Sequence, residues 1–160
     1  MKITYKGDYA LKALFQLALN YGEGEGGVMA ISDIAKAGDM PENFLEQILL
    51  NLRRGGFVKS RRGIKGGFSL ARRPAEITVG QVVRFVEGPV EPISCVEGER
   101  YKGCRDLAKC IFRGVWKEVS MAISAVAQEY LIPTFSITLW AGPWPMTDPP
   151  LSRGMVSRRI

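Results

Sequence analysis

Three cysteines, the only ones in the chain, lie within a single stretch of 16 residues. Cys95, Cys104 and Cys110 are separated by eight and then five residues, spacings that let one loop bring all three sulfurs to a common centre. Thiolate sulfur is the preferred ligand of iron-sulfur clusters and of zinc. An odd number of cysteines cannot pair off completely as disulfides within one chain. The spacing therefore favours a soft-metal site, with buried or idle thiols as the alternative.

The rest of the composition narrows the chemistry of these thiols. A closed zinc site uses four cysteine or histidine ligands, and the chain offers three cysteines and no histidine. No histidine base, nucleophile pair or cofactor loop accompanies the cysteines, so the sequence does not predict an enzyme. A thiol switch without metal needs only two neighbouring cysteines and stays open as an alternative.

Positive charge is concentrated in one region of the chain. The formal net charge is +6, and eight basic residues but no acidic one lie between Arg53 and Arg73. A local positive field suits a polyanion, because each neutralised phosphate releases condensed counterions. The basic segment predicts contact with double-stranded DNA, and a solvated surface without a partner is the alternative.

Apolar spacing ahead of this segment predicts two helices joined by a tight turn, after an amphipathic helix over 8–21. The next helix is expected to start at Ser32 as its N-cap and to end at a Gly38-Asp39 turn. Pro41 then opens the following helix, where its missing N–H is harmless. The pattern is that of a helix-turn-helix unit.

The helix after Pro41 has one apolar and one polar face. Asn43 and Gln47 can pair with adenine, and Glu46 can accept a hydrogen bond from a cytosine amino group. Alternatively, the acidic residues only complement the helix dipole. The predicted inward stripe is Leu45, Ile48, Leu49 and Leu52, and the outward residues are Glu42, Asn43, Glu46, Gln47 and Asn51.

A glycine-rich hairpin, which we call the wing, is expected next. Gly55-Gly56 stops the helix, and two short strands over 57–60 and 68–70 flank a cationic loop. The loop is not a nucleotide-binding P-loop, since its last glycines enter a strand rather than open a helix. Lys59, Arg61, Arg62 and Lys65 are the candidate phosphate contacts.

Two further helices are predicted beyond the wing. Thr78 and Gln81 form a capping box, and Gly88-Pro89 ends the helix that they start. From Leu107, two apolar stripes predict a helix of about 20 residues with more apolar surface than one domain covers. Such a helix favours a twofold homodimer, which would present two reading helices to a palindromic operator.

The fold class expected is mainly α with a small β-wing, namely a winged helix-turn-helix domain plus a long dimerisation helix. The proposed division is 1–88 for the DNA-binding domain, 89–104 for the cluster-binding loop, 105–139 for the dimerisation helix region and 140–160 for a flexible, proline-rich tail. The chain opens without a signal-peptide pattern and has no apolar run of the roughly 18 residues that cross a bilayer. A cytoplasmic protein without membrane contact is therefore expected, in a compartment that keeps thiols reduced.

Several motifs in register resemble the IscR and NsrR group of the Rrf superfamily, winged-helix transcription regulators that carry iron-sulfur clusters. The resemblance covers residues 1–139. It rests on the segments 6–11, 43–47, 62–70 and 79–82, and on the three cysteines that lead into Trp116.

The resemblance implies a homodimeric regulator, a repressor by our reading, that senses iron-sulfur cluster status and controls genes for cluster assembly. By the same likeness Glu46 reads a base and Arg62 approaches a groove. A 2Fe-2S cluster is favoured, with 4Fe-4S as the alternative. Regulation by nitric oxide or by thiol redox state on the same scaffold is the alternative function.

The fourth cluster ligand departs from the IscR pattern. IscR-type sites use a histidine three residues after the last cysteine, where this chain has Arg113. NsrR-type proteins are similar in using a carboxylate of the other subunit near the N-terminus, and Asp8 stands at the matching place. The alternative is that Asp8 only caps the first helix. Other candidate fourth partners are Arg113, Glu97, Glu99, Asp106, water or a small thiol.

Overall fold

The computed structural model describes residues 3–22, 27–89, 93, 96 and 109–132. Its described part is mostly helical with one small antiparallel sheet, which confirms the expected fold class. The elements are α1 (Tyr5–Leu19), α2 (Ile31–Gly38), α3 (Glu42–Arg54), β1 (Val58–Arg61), β2 (Gly67–Leu70), a short 3-10 turn (Pro74–Glu76), α4 (Val79–Glu87) and α5 (Arg113–Glu129).

The first two helices begin earlier than predicted. Thr4 is the N-cap of α1, and its hydroxyl accepts a hydrogen bond from the Lys6 N–H at 3.2 Å. The predicted start at Asp8 is wrong because the helical hydrogen bonds begin before the apolar stripe does. The N-cap of α2 is Ala30, without a side-chain cap, and Ser32 lies inside the helix. Here the carbonyl oxygen of Ala30 accepts the first helical bonds, so no hydroxyl is needed to start the helix.

The turn between α2 and α3 forms where the sequence predicted it. Asp39 adopts a left-handed conformation, with φ of 50°, and ends α2. Pro41 is the N-cap of α3, one position before the first helical residue. The predicted inward stripe of α3 is confirmed, since its members are at most 2% exposed: Leu45, Ile48, Leu49 and Leu52.

The wing is a two-stranded hairpin in which Val58 pairs with Leu70 and Arg61 pairs with Gly67. β1 is shifted by one residue toward the C-terminus from the predicted 57–60, and β2 begins one residue before the predicted 68–70. Met29, which precedes α2, bridges to Phe68 on the other edge of β2 through backbone hydrogen bonds of 2.8 and 2.9 Å. The wing is therefore attached to the helical body by main-chain bonds.

The capping box of α4 is confirmed. The Thr78 hydroxyl accepts from the Gln81 N–H at 3.1 Å, and the Gln81 side chain accepts from the Thr78 N–H. Gly88, with φ of 91°, ends the helix as predicted.

The long helix begins later than predicted. It starts at Arg113, and residues 109–112 form turns instead, so the expected helix from Leu107 is wrong over those four residues. Residue 107 itself lies outside the described residues. The Arg113 N–H bonds to the Cys110 carbonyl oxygen three residues before it, which is a turn bond, whereas the Trp116 N–H bonds to the Phe112 carbonyl oxygen four residues before it, which is a helical bond. The predicted tail, 140–160, also lies outside the described residues.

One apolar core joins α1, α2, α3, the wing and the start of α4. α1 packs against α2, α3 and α4, so it lies at the centre of the helical body. Among the described residues, no helix is long and apolar enough to cross a membrane. The largest fully buried side chains are Leu14, Leu17, Ile34, Leu45, Leu49, Leu52, Ile77, Ile132 and Val82.

Candidate nucleic-acid interface and cysteine segment

The outer face of α3 presents hydrogen-bonding side chains to solvent. Burial of the leucine and isoleucine stripe fixes the rotation of α3, so residues half a turn away must point outward. Asn51, near the end of the helix, is only partly exposed. The exposed polar residues of this reading face are Glu42, Asn43, Glu46 and Gln47, all predicted from the sequence.

The wing, which follows α3 in the chain, carries exposed cations. Arg53, in the last turn of α3, donates from Nη1 to the Ser60 hydroxyl at 2.9 Å and so links α3 to β1. Sequence reasoning missed this contact, because nothing local pairs an arginine with a serine seven residues away. The predicted phosphate contacts are all exposed, on β1 or in the loop after it: Lys59, Arg61, Arg62 and Lys65.

The positive charge of the wing has no neutralising carboxylate in the part of the chain that the structure describes. In the described ranges, no carboxylate lies within ion-pair distance of the wing cations, and the single ion pair there joins Lys12 to Asp8. Unpaired, exposed cations keep their attraction for phosphate. The reading face and the wing together offer base-edge chemistry and backbone-binding chemistry on one body.

Asp8 lies in the first turn of α1, and its carboxylate contacts the Lys12 ammonium at 2.9 Å. The hydrogen bond that Lys12 donates to Asp8 raises the pKa of Lys12. The centroid of the Tyr9 ring lies 5.5 Å from the same ammonium. The cap of α1 is Thr4, so Asp8 does not have the capping role considered for it. Both side chains of the pair are about half exposed, at 46% and 47%, which leaves the carboxylate accessible to a ligand from outside the chain.

The cysteine segment, residues 95–110, is described only at its end. Cys110 is a free, partly buried thiol, and its carbonyl oxygen accepts from the N–H of Arg113, the first residue of α5. Cys95 and Cys104 lie outside the described residues. Within the described ranges, no group of three or more histidine, cysteine or acidic side chains is positioned to hold a metal. Three thiols without histidine fit an iron-sulfur cluster in donor chemistry and leave one position to another ligand.

A carboxylate that was not predicted as a functional residue joins the start of α1 to the end of α4. Glu87, the last residue of α4, accepts hydrogen bonds from the Thr4 hydroxyl at 2.7 Å and the Thr4 N–H at 3.1 Å. These bonds to Thr4 lower the pKa of Glu87. The start of α1, which carries Asp8, is thereby attached to the end of α4, which precedes the cysteine segment in the chain.

The far end of α5 is attached to the start of α4. A hydrogen bond of 2.9 Å joins the Thr78 hydroxyl to the Gln128 side chain, and a β-bridge joins Thr78 to Leu131. Gly80 permits the close approach, since a Cβ there would lie 3.1 Å from the backbone of Ala127. Elsewhere α5 is poorly covered, because none of its residues is buried. The exposed large apolar residues at its start and along it are Ile111, Phe112, Val115, Trp116, Met121 and Val126.

Comparisons with known proteins agree with this architecture. The profile of the Rrf2 family, described as an iron-dependent transcriptional regulator, matches residues 3–134. A protein of Rhodobacter capsulatus named as an rrf2-like HTH-type transcriptional regulator is 38% identical over 140 residues, which cover 86% of this chain and 89% of that protein.

Two solved structures give the same result. CymR, the global cysteine regulator of B. subtilis, superposes with a TM-score of 0.65 at 32% identity, over 82% of this chain and 93% of that one. IscR of T. potens superposes with a TM-score of 0.63 at 32% identity, over 82% of this chain and 83% of that one. The matched proteins are named as regulators rather than as enzymes.

Proposed function

This chain belongs to the Rrf2 family of helix-turn-helix transcriptional regulators, and we propose that it is a homodimeric repressor whose hold on a palindromic operator depends on an iron-sulfur cluster. The genes it controls are those of iron-sulfur cluster assembly. The observation that carries the proposal is the exposed polar face of α3 beside a wing of unneutralised cations.

In this proposal, side chains of α3 contact the base edges and read the sequence. Asn43 and Gln47 carry amide groups that can pair with adenine in the major groove, and Glu46 accepts from a cytosine amino group. A carboxylate on this face repels phosphate, so Glu46 is useful only where it meets a donor on a base edge. The face therefore suits selective rather than indiscriminate DNA binding.

Backbone contact falls to the wing. The candidate contacts are exposed and form no ion pair with any described residue, which leaves them available to phosphate: Lys59, Arg61, Arg62 and Lys65. The bridge from Met29 to β2 and the Arg53 contact to Ser60 hold the wing in a fixed place relative to α3. Both elements can then engage one duplex without reordering.

Dimerisation falls to α5. Several of its apolar residues remain exposed within the described part of the chain, among them Trp116 at 38% and Met121 at 62%. Large apolar patches of this kind are typical of subunit interfaces. A twofold axis along α5 places two copies of α3 at two half-sites, which is the geometry of a palindromic operator.

Cys95, Cys104 and Cys110 are the proposed cluster ligands, with the partner subunit's Asp8 as the fourth. A bound cluster supplies a centre that oxidants, nitric oxide or iron shortage can remove. For Asp8 to serve, its carboxylate must leave Lys12, an exposed contact whose loss costs little. A 2Fe-2S cluster remains the favoured type and 4Fe-4S the alternative.

A change in the cysteine segment can reach the DNA-binding elements through contacts within this chain. The cysteine segment begins soon after α4 and ends at the start of α5, so a change in its order acts on both helices. Glu87 carries a shift of α4 to Thr4 and α1, and α1 packs against α3. Two packings of this shared core would give two positions of the reading face.

Anaerobic purification tests the proposal. A brown protein with iron and acid-labile sulfide is expected, and Cys104→Ala should lose both and change the affinity for a DNA duplex selected by the wild-type protein. Asp8→Asn, with Asp33→Asn of an exposed side chain on α2 as the control, separates the fourth ligand from a general charge effect. Equal DNA affinity of cluster-loaded and cluster-free protein would contradict cluster sensing.

A thiol-redox regulator on the same scaffold is the second candidate. The similarity to CymR, a cysteine regulator by its title, favours it. In this case two of the thiols respond to oxidants directly, without metal. A colourless anaerobic protein whose DNA affinity changes with thiol oxidation would support this candidate over the first. A brown protein whose DNA affinity changes only on treatment with nitric oxide would instead support a nitric-oxide sensor.

A further inference from the structure

The side chain at the tip of the wing is apolar and entirely in water. Ile64 has an exposed fraction of 106%, the highest of the large hydrophobic residues described. It lies in a turn closed by a hydrogen bond of 2.8 Å from the Gly66 N–H to the Gly63 carbonyl oxygen. Ile64 does not have a positive φ, so the turn accepts many residue types at this position, and neither the turn nor packing requires a large apolar side chain there.

Single exposed apolar residues are common on protein surfaces and by themselves indicate nothing. Ile64 differs in its surroundings, because Arg62 and Lys65 lie on either side of it in the loop and Arg61 is the last residue of β1 before that loop. All three cations are exposed, and none forms an ion pair within the described ranges. The positive potential of these cations attracts phosphate-bearing partners, and such a partner is therefore brought next to the apolar side chain.

The shape of the tip fits the narrower groove of DNA. Gly63 and Gly66 have no side chains, so Ile64 and Lys65 project from the middle of the turn, and Ile64 is the apolar one of the two. The minor groove is about 6 Å wide and is walled by deoxyribose, with a row of phosphates along each rim. A thin turn with an apolar centre and cations on both sides matches that arrangement, and apolar side chains enter minor grooves in other DNA-binding proteins.

We propose that Ile64 enters the minor groove beside each half-site and selects A·T base pairs there; the inference rests on the proposed DNA-binding function. A G·C pair adds the guanine amino group to the groove floor. Ile64 would cover this donor without offering it an acceptor, which leaves a hydrogen bond unmade. A·T pairs carry no donor at that place, so the same side chain packs on them at lower cost.

The position of the wing along the DNA is fixed by the position of α3. Main-chain bonds from Met29 to Phe68 and the Arg53 contact to Ser60 attach it to the body that carries α3. The A·T preference must therefore lie at a constant distance from the bases read by α3.

The experiment begins with duplexes that the wild-type protein selects from a random-sequence library. Ile64→Ser should bind the selected duplex about tenfold more weakly, with an unchanged salt dependence, because an apolar contact releases no counterions. Lys65→Ala should weaken binding with a salt slope shallower by about one. Ile64→Val, which keeps the apolar tip, should bind within about twofold of the wild type.

Base substitution at the wing positions provides the second measurement. Changing A·T to G·C there should weaken the wild type, and replacing guanine by inosine, which lacks the amino group, should restore binding. Ile64→Ser should be indifferent to both changes, and its thermal stability should equal that of the wild type. Wild-type affinity or an unchanged A·T preference in Ile64→Ser overturns the inference. A wild-type protein that selects no sequence overturns the proposed function as well.

Discussion

Replacing Gly67 by alanine tests whether the wing is held in place by its bridge to Met29. Gly67 opens β2 with φ of 153°, a conformation that residues with a Cβ rarely adopt. A Cβ at this position would also overlap the carbonyl oxygen of Met29. The overlap involves backbone on both sides, so it can be relieved only by moving β2 away from Met29.

The expected cost follows from these two effects. Backbone strain of this type costs on the order of 1–3 kcal/mol. Separating Met29 from Phe68 breaks two backbone hydrogen bonds, at about 1 kcal/mol each. Gly67→Ala should therefore lower the free energy of unfolding by about 3 to 5 kcal/mol, a large share of the stability of an ordinary domain. At about 3 °C per kcal/mol, the melting temperature should fall by about 9 to 15 °C.

Gly63→Ala is the matched control. Gly63 also has a positive φ, of 107°, but a Cβ there would meet no atom within 4 Å. It should cost only the backbone strain and leave the bridge intact. Urea unfolding measures both variants, and Gly67→Ala should be less stable than Gly63→Ala by about 2 kcal/mol, the contribution of the two broken hydrogen bonds. If Gly67→Ala unfolds within about 0.5 kcal/mol of the wild type, the bridge does not hold the wing.

Two further outcomes are expected. Hydrogen bonds from Thr4 hold the pKa of Glu87 below its ordinary value of 4.5, so the carboxylate stabilises the fold above that pH and loses this contribution as pH falls through the lowered pKa. Thermal unfolding of Glu87→Gln against wild type across pH should show a gap at neutral pH that closes below 4.5, and a gap independent of pH would contradict the assignment. Glu46→Ala should relax base preference at one position of each half-site by about 1–3 kcal/mol, measured with a set of single-base operator variants. Glu76→Ala, an exposed carboxylate of the 3-10 turn, should leave that preference unchanged.

Local features of the chain were predicted well. The buried stripe of α3, the hairpin after Gly55-Gly56 and the capping box of α4 each depend on residues within a few positions of one another. In such cases residue type and spacing fix the hydrogen bonds or the burial directly. The polar reading face followed from the same stripe, because burial of one side of a helix determines the other.

Features that depend on distant residues were missed or misplaced. The start of α1 is set by Thr4, whose second partner, Glu87, lies 83 positions along the chain. The start of α5 was placed too early, because the apolar pattern continues through Ile111 and Phe112, whereas the Arg113 N–H makes a turn bond to Cys110 instead of a helical bond. The cysteine segment was predicted as a metal site from spacing alone, and this stays a prediction.

The sequence by itself determined the elements, the polar face of α3 and the family. Each of these depends on residue types at fixed spacings along the chain, namely helix periods, caps, glycine positions and aligned motifs. The tertiary structure alone decided where the wing stands, which cations remain unpaired and how α1 is joined to α4. These depend on the bridge at Met29, the contact of Arg53 with Ser60 and the carboxylate of Glu87. Such contacts form only when folding brings distant segments within hydrogen-bond range, and no local pattern records that distance.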